Sequence, residues 1–146
     1  MLTTDYLIDT NVLIYHTAGS EATSDFIRDM IARQAFNVSV LTKIEFLGWN
    51  KHTPEGFGKC RQLIELANIF HIDDDTAEKA IELKRRAKIK LADAVIAATA
   101  LLNNFKLVTR NVDDYKSVTE LQTCMISRNF HECSTIRTWF PGLFRA

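Results

Sequence analysis

The chain has 146 residues, of which 47% are hydrophobic and 25% charged, as is typical of one globular domain. Lys plus Arg and Asp plus Glu both number 18, which argues against a strongly basic nucleic-acid coat protein but leaves room for a nucleic-acid enzyme. Its 3 cysteines have no CxxC spacing, so we expect reduced thiols, with neither a disulfide framework nor a zinc site. We also expect a cytoplasmic, non-membrane protein, because no apolar stretch approaches the roughly 20 residues of a membrane span and no basic leader precedes Asp9.

Strand and helix patterns alternate through the first half of the chain. In order, the sequence predicts a strand at residues 6–8, a short helix or turn at 12–16, a helix at 22–34, a strand at 36–39, a helix at 42–49 and a helix at 54–67. Phe26, Met30 and Ile31 have helical spacing, and Pro54 suits the first turn of a helix. This half therefore predicts two strands separated by helical connections.

The second half continues the same alternation. It predicts a strand at residues 68–72, a helix at 76–88, a small-residue helix at 92–103 and a strand at 105–109. The acidic residues 73–75 suit the start of a helix, and Asn103 and Asn104 suit the end of the next one. Strands separated by helices indicate parallel β-α-β units with right-handed crossovers, and hence an α/β sandwich. In such sheets ligands bind beyond the carboxyl ends of the strands.

Several acids fall where this rule directs attention. Asp9 directly follows the first strand, Asp113 and Asp114 follow the fourth, Glu45 lies on the helix after the second, and Asp93 opens the Ala-rich helix. Like charges about 4 Å apart repel by roughly 4 kcal/mol at an effective dielectric constant near 20, so a cluster of them needs a cation or protons. Oxygen ligands favour Mg²⁺ or Mn²⁺, and such an ion would make a phosphodiesterase site.

The spacing of these acids also permits an ordinary structural interpretation. Asp9 and Asp93 would then be helix N-caps, Glu45 a solvated helix residue, and Asp113 with Asp114 part of a turn. From the residues alone, both interpretations stay open.

Four motifs, in order along the chain, resemble the PIN-domain family and specifically its VapC-type toxins. They are Ile-Asp-Thr-Asn-Val-Leu-Ile at residues 8–14, Ser-Val-Leu-Thr-Lys-Ile-Glu-Phe at 39–46, Lys-Leu-Ala-Asp-Ala-Val-Ile-Ala-Ala-Thr-Ala at 90–100 and Leu-Val-Thr-Arg-Asn-Val-Asp-Asp-Tyr at 107–115. The resemblance implies a three-layer α/β/α fold with a central parallel sheet of four or five strands. It also implies Mg²⁺- or Mn²⁺-dependent RNA cleavage with water as the nucleophile, homodimerisation, and inhibition by a co-encoded VapB-like antitoxin.

The same resemblance assigns the site residue by residue. Asp9, Glu45 and Asp93 match the first three catalytic and metal-binding acids of the family, and Asp114 matches the less regular fourth, with Asp113 as the alternative. The substrate-binding candidates fall into two groups. Four match polar positions of the family that orient ligands or contact substrate: Thr10, Asn11, Thr109 and Asn111. Two are cations that flank matched motifs: Lys43 and Arg110.

Residues 1–122 are predicted to form the PIN domain, with a fifth strand beginning within residues 118–121. Residues 123–146 do not match the usual ending and are interpreted as an atypical tail rather than a separate domain. The tail is rich in aromatic residues, so we expect part of it to pack on the domain or on a partner, without a catalytic role.

Other functions remain as alternatives. A PIN-type RNA-processing nuclease would have no antitoxin gene beside its own, and a catalytically silent PIN binding module would be expected to lack an acid, whereas Asp9, Glu45 and Asp93 are present. A phosphatase of the haloacid dehalogenase type would normally show Asp-x-Asp after the first strand. The four histidines are scattered and do not suggest a histidine-based ribonuclease.

Overall fold

The computed structural model describes residues 5–126, in which six α-helices and five parallel strands alternate. The strands are β1 (Tyr6–Ile8), β2 (Asn37–Ser39), β3 (Asn68–Phe70), β4 (Lys106–Val108) and β5 (Thr123–Cys124). The helices are α1 (Thr10–Thr17), α2 (Glu21–Ala32), α3 (Val40–Leu47), α4 (Pro54–Glu65), α5 (Asp74–Arg86) and α6 (Leu91–Leu102), and a 3₁₀ turn covers Val112–Tyr115. No helix in this part of the chain is long and apolar enough to cross a membrane.

The helix ends follow the local signals in the sequence. The Thr53 hydroxyl caps α4, with Pro54 in its first turn, and the Asp73 carboxylate caps α5 by accepting from the Thr76 amide at 2.8 Å. Such caps typically contribute about 1 kcal/mol each. Asn104 follows α6 with a φ of 56°, which turns the chain from the helix into β4. The predicted positions of these boundaries are therefore confirmed to within a few residues.

The order of the strands places the carboxyl ends of β1 and β4 side by side. The strand order in the sheet is β3-β2-β1-β4-β5. The chain therefore builds the sheet outward from β1 through β2 to β3, and then crosses to the other side of β1 to add β4 and β5. Ile8 is in register with Val108, and the Asp9 amide donates to the Val108 carbonyl at 2.9 Å. Asp9 and Thr109 are therefore neighbours at the switch point of the sheet, where open α/β sheets bind ligands.

Both faces of the sheet are covered by helices. Leu7 and Leu107 pack into the core formed with α5 and α6, whereas Ile8 and Val108 pack into the opposite core, formed with α1, α2 and α4. This alternation follows from the two-residue period of a strand. The predicted three-layer α/β/α fold with a central parallel sheet is confirmed.

The predicted start of the fifth strand is wrong. Residues 118–121 form turns, in which the Val118 amide donates to the Tyr115 carbonyl and the Leu121 amide to the Val118 carbonyl. The side chains of Val118 and Leu121 are buried in the core, so their apolar character reflects packing rather than strand pairing. The strand itself is Thr123–Cys124, which extends the sheet past the predicted boundary at residue 122. The predictions made for residues 127–146 lie outside the described residues.

Two truncations are expected to separate the contribution of β5 from that of the remaining tail. A chain ending at Gln122 loses the Cys124 carbonyl that accepts from the Thr109 amide at 3.0 Å, together with the buried Cys124 side chain. We predict that it unfolds with a free energy roughly 2 kcal/mol lower than a chain ending at Ile126. Urea denaturation of both chains, with the full-length protein as reference, measures the difference. Equal stability would show that β5 contributes nothing to the fold.

Candidate active site

Asp9 is the most heavily engaged acid at the carboxyl edge of the sheet. Only 6% of it is exposed, and it caps α1, its Oδ1 accepting from the Thr10 amide at 2.8 Å. Its Oδ2 accepts from the hydroxyls of Thr109 and Tyr115, both at 2.9 Å. Burial raises the pKa of Asp9 and the nearby charge of Glu45 adds to this, while the three hydrogen bonds oppose it. Asp9 is therefore an N-cap and also a buried acid.

Asp93 lies close to Asp9, although it comes from the opposite layer. It is the third residue of α6, whose N-cap is Lys90, so interpreting Asp93 as a cap is wrong. The Tyr115 hydroxyl lies 3.3 Å from its Oδ1. Burial raises the pKa of Asp93, as do the charges of Asp9 and Asp114, while the hydrogen bond from Tyr115 and the charge of Lys90 lower it. Asp9 and Asp93 thus share one hydroxyl and repel each other.

The other two candidate acids lie on either side of this pair. Glu45 is exposed on α3, and its Oε1 accepts from the Thr10 hydroxyl at 3.0 Å. Asp114 is exposed in the 3₁₀ turn, and its charge raises the pKa of Asp93. Asp113 is not among the groups that raise it. The acids form a series, called here the acidic row: Glu45, Asp9, Asp93 and Asp114.

Three of the polar candidates connect elements beneath the acidic row. The Asn11 Nδ2 donates to the Thr109 hydroxyl at 3.3 Å, and its Oδ1 accepts from the Arg110 amide at 3.1 Å. The Asn111 amide also donates to the Thr109 hydroxyl, at 3.1 Å. These contacts orient Thr109, which in turn donates to Asp9. Direct contact of these residues, or of Thr10, with substrate stays a prediction.

The two cationic candidates have different surroundings. Arg110 is buried, and its guanidinium carbon lies 3.6 Å from the centre of the Tyr15 ring, a packing contact that the sequence did not reveal. Burial lowers the pKa of Arg110. Lys43 is half-buried on α3, two residues before Glu45. For both residues, contact with an RNA phosphate stays a prediction.

Tyr115 and Thr42 are site residues that sequence reasoning missed. Tyr115 was recognised only as the aromatic residue that ends a motif, yet its hydroxyl reaches both Asp9 and Asp93. Burial, together with the charges of those two acids, raises the pKa of Tyr115, so the hydroxyl keeps its proton. The Thr42 hydroxyl lies 3.2 Å from that of Thr10. The available signal was that a buried tyrosine usually needs a hydrogen-bond partner.

The oxygen donors of the acidic row fit a hard divalent cation that keeps part of its water shell. Within residues 5–126, no group of three or more His, Cys, Asp and Glu side chains forms a ready-made metal site. Mg²⁺, however, is commonly held by one or two carboxylates, and water completes its octahedral shell. The mutual repulsion of Asp9 and Asp93 is also the electrostatic setting that a cation relieves. The site therefore fits Mg²⁺ or the similar ion Mn²⁺.

An apolar groove of about 720 Å³ adjoins the acidic row at Glu45. Its walls come from α1, α3, α4 and the loop between the last two, and include Ile14, Phe46, Trp49 and Leu63. Ile14 and Trp49 are 52% and 55% exposed, which is unusual for large apolar side chains grouped together. A surface of this kind is typical of a protein-binding site.

Comparisons with known proteins agree with this architecture. The sequence model described as the PIN domain matches residues 6–121. A toxin–antitoxin complex from Klebsiella pneumoniae contains a chain 28% identical to this one, with a TM-score of 0.65, covering 86% of this chain and 98% of that chain. DNA-bound VapBC from Salmonella typhimurium has a chain that is 19% identical with a TM-score of 0.73, covering 86% and 100%, a likeness of fold alone. No curated protein matches the chain in sequence.

The burial of Asp93, together with its repulsion by Asp9 and Asp114, predicts a pH-dependent effect of Asp93→Asn. Because the folded-state pKa of Asp93 is raised above 3.8, its ionisation weakens the fold as pH rises past that value. In EDTA, Asp93→Asn should be more stable than wild type at pH 7 by on the order of 1 kcal/mol, the size of a water-screened like-charge repulsion at about 4 Å. The gain should shrink at pH 4. Urea denaturation at both pH values measures it.

The exposed residue Asp113 provides the matched control for this measurement. Asp113→Asn should change stability by less than about 0.5 kcal/mol at either pH, as is usual for a surface substitution. A gain from Asp93→Asn that is the same at both pH values would contradict the electrostatic explanation.

Proposed function

Because the chain belongs to the PIN domain family, we propose that it is a metal-dependent endoribonuclease and the toxin of a VapBC-type toxin–antitoxin pair. The observation that carries the proposal is the convergence of Asp9 and Asp93 on one hydroxyl at the switch point of the sheet. The similar structures, which are a toxin–antitoxin complex and DNA-bound VapBC, support the toxin assignment.

Asp9 and Asp93 would hold the divalent cation, with Glu45 and Asp114 on either side acting directly or through water. When bound, the ion would neutralise phosphoryl oxygens and lower the pKa of a water that attacks the phosphodiester. Glu45 is suited to accept the proton of that water. Its Oε1 is occupied by the Thr10 hydroxyl, and the residue is exposed, so its Oε2 can reach solvent.

Two cations are the candidates to bind the RNA backbone. Lys90 acts electrostatically on Asp93, and Lys43 is half-buried on α3 and flanks a matched motif. They would bind phosphates flanking the scissile bond, which fixes the register of the strand without reading its sequence. Thr10, Asn11, Thr109 and Asn111 would keep the acids in place beneath it, and Arg110 would contribute only on leaving the ring of Tyr15.

The apolar groove supports the antitoxin part of the proposal. An amphipathic helix of a VapB-like antitoxin would place its apolar side chains against Ile14 and Trp49. Because the groove ends at Glu45, the segment that follows could place an arginine against the acidic row, where guanidinium pairs well with carboxylates. Homodimerisation and a cytoplasmic location are part of the same proposal, and they rest on the family resemblance.

The nuclease assignment predicts a metal requirement and a graded response to loss of each acid. Wild-type protein with Mn²⁺ or Mg²⁺ should cleave RNA to leave 5′-phosphate and 3′-hydroxyl ends, and excess EDTA should abolish cleavage. Asp9→Asn, Asp93→Asn and Glu45→Gln should each lower the cleavage rate at least about 100-fold, since each removes a charge that the ion or the attacking water requires. Asp114→Asn should have a smaller effect. Rates are measured on end-labelled RNA.

Asp113→Asn is the control for these variants and should cleave at close to the wild-type rate. Cleavage that persists in EDTA, or a 2′,3′-cyclic phosphate product, would contradict the metal mechanism. Wild-type turnover by Asp9→Asn would remove the assignment of this site.

The antitoxin assignment predicts a complex that depends on the groove. The product of a neighbouring small gene should bind tightly when co-expressed, and Trp49→Ala should weaken the complex at least about tenfold, because a tryptophan in such a groove usually contributes 2 kcal/mol or more. Leu66→Ala is the matched control, since Leu66 is 59% exposed and lies outside the groove. Calorimetric titration measures both. If no neighbouring product binds, an RNA-processing nuclease without an antitoxin becomes the better assignment.

A further inference from the structure

Tyr115 joins the two layers of the fold at the site. It is 2% exposed and belongs to the core shared by α6 and the sheet. Its hydroxyl lies 2.9 Å from Asp9 Oδ2, at the end of β1, and 3.3 Å from Asp93 Oδ1, on α6. A single atom thus connects two acids that come from different structural elements.

The phenol has one proton to donate, and the two distances indicate how it is used. The shorter contact is the hydrogen bond to Asp9, while the longer contact to Asp93 is weaker or shared. Both carboxylate oxygens of Asp9 would still have a hydrogen-bond donor without this bond, because the Thr10 amide donates to Oδ1 and the Thr109 hydroxyl to Oδ2. The distinctive contribution of the Tyr115 hydroxyl is therefore the link between the two acids.

The same contacts distinguish the two oxygens of Asp9. An ionised carboxylate offers about two acceptor positions on each oxygen. Oδ2 already accepts from Thr109 and Tyr115, whereas Oδ1 accepts only from the Thr10 amide in the part of the chain that the structure describes. Oδ1 is the oxygen with acceptor capacity left.

We propose that Tyr115 is a positioning residue for the metal site, and that its hydroxyl would hold Asp9 and Asp93 at a fixed separation while leaving acceptor capacity on Oδ1 of Asp9. This inference rests on the proposed metal-dependent function. A phenylalanine would fill nearly the same volume in the core, so packing alone gives no reason for the hydroxyl. Hydrogen bonds that orient metal-binding side chains typically contribute 10- to 100-fold to metal affinity.

Tyr115→Phe tests the inference by removing only the hydroxyl. Titration calorimetry with Mn²⁺ alone, in the absence of RNA, should give a Kd for the variant at least about tenfold weaker than for wild type. Circular dichroism establishes that the two proteins are equally folded at the temperature used. Tyr6→Phe is the matched control, because it removes a tyrosine hydroxyl from β1 outside the acidic row, and its Mn²⁺ affinity should equal that of wild type.

The outcomes distinguish this inference from the proposed function. If wild type binds Mn²⁺ and Tyr115→Phe binds it equally well, the positioning role is overturned and the metal site stands. If wild type does not bind Mn²⁺, the proposed metal chemistry fails and this inference fails with it. A Tyr115→Phe chain that does not fold would assign the hydroxyl to the fold itself, and would likewise overturn the positioning role.

Discussion

Removing a carboxylate from water is unfavourable by several kcal/mol unless hydrogen bonds replace its hydration, and Asp9 is held almost entirely out of solvent at the end of β1. Its compensation comes from three places: the first amide of α1, a hydroxyl beyond β4 and a hydroxyl from the 3₁₀ turn. These donors meet only because β1 and β4 are neighbours in register. The strand order, the start of α1 and the conformation after β4 are thus all tied to one buried acid.

The electrostatics of the site oppose the stability of the fold. The packing of α6 brings Asp93 close to Asp9. Burial raises the pKa of Asp93, and the charges of Asp9 and Asp114 raise it further, although the Tyr115 hydrogen bond and Lys90 oppose this. Sites that concentrate like charges generally sacrifice stability for function. The buried small residues of α6 supply part of the packing that tolerates this arrangement, since they let the helix lie close to the sheet.

Glu45 connects two surfaces with different chemistry. It accepts a hydrogen bond from Thr10, the residue that follows Asp9, and it also lines the apolar groove. A molecule bound in the groove would therefore contact an end of the acidic row, and α3 supplies both Glu45 and the groove residue Phe46. In the proposed function, catalysis and its inhibition by an antitoxin would share one helix, because neighbouring side chains of α3 face different surroundings.

The sequence by itself determined the fold class, most helix boundaries and the PIN family, because strand and helix periods, capping residues and ordered motifs are local signals. From the residues alone, Asp9 and Asp93 could equally have been helix caps, and it was the resemblance of the motifs around them to the family that made them the candidate acids. The sequence could not determine that Asp9 would be a cap and a buried acid together, that Val118 and Leu121 serve the core while β5 begins at Thr123, or that Arg110 packs on Tyr15. Nor did it reveal the role of Tyr115. Several of those features depend on contacts between residues about a hundred positions apart, such as Tyr115 with Asp9, which the parallel register of β1 with β4 brings together.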